Sequence, residues 1–133
     1  MSSGEPTAAP HGATLLETIR SDHAAIARGV QRLLCDEVHG SDPSLLVTTL
    51  AAIERHLALE EAELYPVMRA SLRNGESEVI RVMAHTELIE QGVDALRSRD
   101  LSPDDRSRQL ASLRSLLAHH IDLHEERYAL ALT

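Results

Sequence analysis

The chain has 133 residues, enough for one domain around one core. Its 21 acidic residues outnumber 13 basic ones, all Arg, for a formal net charge of -8, which argues against sequence-independent nucleic-acid binding. One cysteine, Cys35, rules out an internal disulfide framework or a cysteine-based zinc cluster within the chain, and it is expected to be an apolar filler.

Residues 1–13, with Gly4, Pro6, Pro10 and Gly12, read as a disordered tail ahead of one domain over 14–133. No basic-then-apolar leader is visible there. The longest apolar stretch, Leu45 to Ile53, is about half of what a membrane span needs. The expectation is a cytoplasmic protein with no membrane or nucleic-acid partner, a monomer or homodimer.

Four helical segments follow. The first runs from Thr14, paired with Glu17 in a capping-box pattern, to about Val38, ahead of Gly40. The second starts at Asp42-Pro43 and runs to about Leu72, where Asn74-Gly75 stops it; Pro66 should kink or locally end it. The third spans about Glu76 to Arg99. The fourth starts at Ser102-Pro103 and reaches about Ala131. Short joints between long helices imply an all-α, antiparallel, up-down-up-down four-helix bundle.

Apolar residues repeat at alternating steps of three and four, the seam of such a bundle. The seams are Leu16, Ile19, His23, Ile26, Val30 and Leu33; Leu46, Thr49, Ile53, His56 and Glu60; Val82, His85, Ile89, Gly92 and Leu96; and Leu110, Leu113, Leu117, His120 and His124. The core must be aliphatic, because there is no Phe or Trp and only two Tyr. Yet six groups on these seams are His or Glu: His23, His56, Glu60, His85, His120 and His124. Burying an imidazole or a carboxylate requires a partner, and a metal ion can compensate all six together.

Spacing supports the same conclusion. Residues four apart share a helix face, so Glu60 lies beside His56, and His124 beside His120. With antiparallel helices rising 1.5 Å per residue, His23 and His85 stand about 14 and 12 Å from one end of the bundle, and His120 and His124 about 16 and 10 Å. If the packed part of the second helix ends near Pro66, His56 and Glu60 stand about 15 and 9 Å up, in the same layer. A lone His on an apolar seam is more often a hydrogen-bonded core residue, which would suit His85 by itself. His11 and His39 fall in tail and loop. His119 is turned about 100° from His120. Glu61, Glu63, Glu87, Glu90 and Glu126 read as solvated charges, with approach to the site from below Glu60 as the other reading of Glu63.

At these residues the chain resembles the hemerythrin-like (HHE cation-binding) family. Asp22-His23 looks like the family's opening Asp-His, and His56-Leu-Ala-Leu-Glu60-Glu61-Ala-Glu-Leu64-Tyr65-Pro66 its His-x-x-x-Glu-Glu-x-x-Leu-Tyr/Phe-Pro motif. His85 falls where the third helix supplies a His. His120-Ile-Asp-Leu-His124-Glu125-Glu126 resembles the second His-x-x-x-Glu. The likeness runs from residue 14 to about 131. It implies a bundle around a non-haem di-iron centre with His23, His56, Glu60, His85, His120 and His124 as ligands. The ligand set also accepts zinc or manganese. The small-molecule ligand would be dioxygen, hydrogen peroxide or nitric oxide, with peroxide-consuming or iron-oxidising turnover open. The other readings are a gas- or redox-sensing or iron-handling module without turnover, and a zinc-binding structural bundle.

Two departures stand out. Position 124 is His where the family usually carries a second bridging Glu, leaving Glu60 as the only protein bridge unless Glu125 serves. Glu125 is turned about 140° from His120 in a regular helix, so His124 is the expected ligand. The missing Phe and Trp leave Leu, Ile and Met83 to line the ligand pocket, which points away from reversible oxygen carriage. Tyr128, one turn beyond His124, is expected in core packing, with an outer ligand or hydrogen-bond donor as its other role.

Overall fold

Helix boundaries follow local chemistry where they are described. The computed structural model describes residues 11–39, 43–98 and 100–132. It contains α1 (His11–His39), α2 (Pro43–Leu59), a π-turn (Glu60–Leu64), α3 (Tyr65–Ser71), α4 (Gly75–Leu96) and α5 (Pro103–Leu132), with no strand among the described residues. Ser102 caps α5 as expected: its Oγ accepts from the Asp105 N–H at 3.1 Å, with Pro103 opening the helix. The first helix starts earlier than expected, at His11. Thr14 is therefore inside it, and its carbonyl accepts a hydrogen bond from the Thr18 hydroxyl. The tail over 1–10, Gly40 and the Asp42 cap lie outside the described residues.

The second rod leaves regular α-helical geometry just ahead of Pro66. Proline has no N–H to offer the carbonyl four residues back, and its ring crowds that carbonyl. Just ahead of it the chain inserts one extra residue: the Tyr65 N–H donates to the Glu60 carbonyl, five residues back. In a regular α-helix Tyr65 would stand about 140° from Glu60. The wider π-turn brings it back toward the same face. The rod ends at Ser71, and Gly75 opens α4 against that end. A Cβ on Gly75 would collide with the Met68 carbonyl oxygen and lie 2.7 Å from the Arg69 Cα, so only glycine fits this close crossing.

The aliphatic core is divided into two clusters. One contains Ile26, Val30 and Leu33 of α1, Leu50, Ile53 and Leu57 of α2, Ile89, Val93 and Leu96 of α4, and Leu110, Leu113 and Leu117 of α5. The other contains Leu15 and Ile19, then Leu64, Tyr65 and Met68, then Val79 and Val82, then Ala131 and Leu132. Residue numbers run from the second cluster to the first along α1 and α4, and in the opposite sense along α2–α3 and α5. The bundle is therefore antiparallel, up-down-up-down, with four rods. No helix among the described residues is long and apolar enough to cross a membrane.

Candidate metal centre

A polar layer separates the two apolar clusters. His23 comes from α1, His56 from α2, Glu60 from the first position of the π-turn, and His120 and His124 from α5. Each is at most 3% exposed, and Glu60, His120 and His124 are fully buried. The four-residue spacings place His56 beside Glu60 and His120 beside His124, whose ring centroids are 3.7 Å apart.

Glu60 is the focus of the layer. Its Oε2 lies 2.8 Å from His56 Nε2, 3.3 Å from His120 Nε2, 3.7 Å from His23 Nε2 and 3.9 Å from His124 Nδ1. Burial alone would push the Glu60 carboxyl up. The imidazoles of His120, His124, His23 and His56 gathered around it outweigh burial and hold the group well below the usual carboxylate range. It is an anion inside the protein. His124 responds in the opposite sense: burial drives its pKa down to about 4, against the pull of Glu60 and with the help of His120, so its ring is neutral. Burial also depresses His56, but Glu60 and Asp22 on its two sides together raise it.

The outer nitrogens of two rings are anchored by carboxylates. His56 Nδ1 donates to Asp22 Oδ2 at 3.0 Å, and His23 Nδ1 to Glu125 Oε2 at 3.0 Å. With Nδ1 held outward, each ring turns Nε2 toward Glu60, the arrangement by which proteins orient metal-binding histidines. Donor atoms of His23, His56, Glu60 and His120 all lie within 4.8 Å of one another. Buried His23 Nε2, His120 Nδ1 and Glu60 Oε1 have no hydrogen-bond partner. Buried polar atoms left in this state are costly, and a cation bound among the donors would satisfy those facing it. The residues present fit a metal.

Not every expected residue joins this group. His85 is only half-buried and stands at the flank, its ring 6.1 Å from that of His120 and 4.9 Å from that of exposed His119. The buried stripe of α4 is Val79, Val82, Thr86, Ile89, Val93 and Leu96, rather than the expected Val82, His85, Ile89, Gly92 and Leu96. Thr86 takes the inward position and meets the Tyr65 hydroxyl at 3.3 Å. Glu125 holds His23 from outside the group. Met83, expected to line the ligand pocket, is 45% exposed and lines an open cleft that also includes Tyr65 and Thr86, and Cys35 is exposed rather than filling the core. The side chains of His11, His39 and Tyr128 lie outside the described residues. The role of Asp22 was missed in the sequence. Its signals were the resemblance of Asp22-His23 to the family's opening Asp-His and its adjacency to His23, which places it about 100° around α1.

A buried imidazole–carboxylate group between two aliphatic layers defines a metal-binding four-helix-bundle protein. The family model of the hemerythrin HHE cation binding domain matches residues 14–132, and the chain belongs to that family. No curated protein and no solved structure matches it.

Proposed function

We propose that this chain is a cytoplasmic iron-binding protein whose buried centre binds or reacts with dioxygen, hydrogen peroxide or nitric oxide. The observation that carries the reading is the inward-facing donor set: His23, His56, Glu60 and His120 within 4.8 Å of one another, with buried nitrogen and oxygen atoms among them left without hydrogen bonds. Imidazole and carboxylate suit iron by ligand type. When bound, iron would supply a redox-active coordination position for a small ligand.

The chain's own residues supply the rest. Asp22 and Glu125 fix the rings of His56 and His23 so that their Nε2 atoms face inward. Glu60 supplies the negative charge, and His124 stands against it as a neutral ring. Leu57 and Leu117 on one side, and Ile19, Leu64 and Val82 on the other, keep bulk water from the layer. The test is elemental analysis of purified protein with an optical spectrum after anaerobic iron loading and exposure to each small ligand. Bound iron and a spectrum that changes with the ligand are expected. Protein that holds zinc alone and stays spectroscopically silent after iron loading would overturn the reading.

A further inference from the structure

We infer that the centre takes a single divalent cation, held by His23, His56, Glu60 and His120, rather than the pair that the family resemblance implies. This rests on the metal-centre reading above and deepens it. Two ions packed closely in one site need bridging groups and enough negative charge to offset their repulsion, which is four times that of two unit charges at the same separation. Carboxylates do both, because each has two oxygens. An imidazole nitrogen binds one ion.

Glu60 is the only buried carboxylate among the described residues. The position expected to offer the second carries His124, fully buried against His120. The next residue, Glu125, is about a third exposed and is already engaged with His23 Nδ1 on the outer side of that ring. Counting only the buried groups, and leaving the partly exposed Asp22 and Glu125 on the outer side of the rings, one dication with Glu60 and neutral imidazoles leaves a net charge of one in a layer closed above and below by apolar side chains. Two dications would leave three, a far costlier charge to bury. The donors also converge as one group: four residues meet within 4.8 Å, while His85, the ligand expected from the third helix, stands aside with exposed His119.

The experiment loads metal-free protein anaerobically with ferrous ion and, separately, with cobalt(II). After desalting, ions per chain are counted by elemental analysis. One retained ion per chain is expected, with a cobalt paramagnetic signal that integrates to all the bound cobalt. Two retained ions per chain, or a signal weakened by coupling between neighbours, would overturn the inference while leaving the metal-centre reading intact. No retained ion would overturn both. His124→Glu restores a second buried carboxylate and is expected to raise the count to two, whereas the neutral His124→Gln stays at one. A folded His124→Glu protein still holding one ion would show that position 124 does not set the number. Should that variant fail to fold, the native ion count and cobalt signal still decide the matter.

Discussion

His56 on α2 is held through Nδ1 by Asp22 of α1 at 3.0 Å, while its Nε2 meets Glu60 at 2.8 Å. One ring thus spans the distance between a partly exposed carboxylate and a buried one. Glu125 does for His23 what Asp22 does for His56. Removing such outer partners commonly weakens metal binding by about 10- to 100-fold. Asp22→Asn and Glu125→Gln should each show a loss of that order in a calorimetric zinc titration, with the fold retained by circular dichroism. Unchanged affinity in both variants would mean that these carboxylates do not orient the rings.

Glu60 should control whether bound metal stabilises the fold. A ligand that binds only the native state adds about 4 kcal/mol when its free concentration is about a thousand times its dissociation constant. A strong chelator should therefore lower the melting temperature of the loaded native protein by several degrees. Glu60→Gln should show almost no chelator effect, because the central anion is gone. A native protein whose melting ignores the chelator would contradict this expectation.

Tyr65 gives a prediction at high pH. Burial pushes its phenol from the ordinary 10.0 up to about 12; the Thr86 hydroxyl opposes this, while the negative charges of Glu60, Glu61 and Glu90 add to it. Between these values the folded chain keeps the proton and the unfolded chain loses it. The contribution to stability is thus complete below about 10 and falls as pH rises toward 12. An ultraviolet titration of phenolate in the folded protein should show a late step near 12, absent from Tyr65→Phe. A Tyr65→Phe variant with the same titration curve as the native protein would be inconsistent with this assignment.

Gly75 is a purely steric test. A side chain there meets the backbone of Met68 and Arg69 at the end of α3, and a backbone cannot swing aside as a flexible side chain can. Gly75→Ala should destabilise the fold by about 1–3 kcal/mol, the usual cost of overpacking, in a urea denaturation series. Full stability in the variant would imply that the α3–α4 crossing opens at little cost.

Much of the site could be read before the fold was known. The three-and-four spacing along the first, second and fourth helices placed His23, His56, Glu60, His120 and His124 inside, and each is buried. The height estimate assumed that the packed part of the second rod ends near Pro66; instead the rod stays packed through Met68 and runs to Ser71, with a π-turn ahead of Pro66, and His56 and Glu60 still share the layer. The third helix was less legible. Val82, His85, Ile89, Gly92 and Leu96 fit the period, but so do Val82, Thr86, Ile89, Val93 and Leu96. The second set contains more apolar side chains and is the one that packs.

Periodicity within one helix determines the angles between its own residues. For this chain that sufficed for four rods, their antiparallel order and most of the central layer. It does not fix how far each rod turns about its own axis once packed, and a rotation of tens of degrees separates Thr86 from His85 at the inner face of α4. Contacts between distant segments were likewise decided only in three dimensions: Glu125 against His23, Asp22 against His56, and Gly75 against the end of α3. They depend on the joint packing of several rods, and no single segment of sequence contains that information.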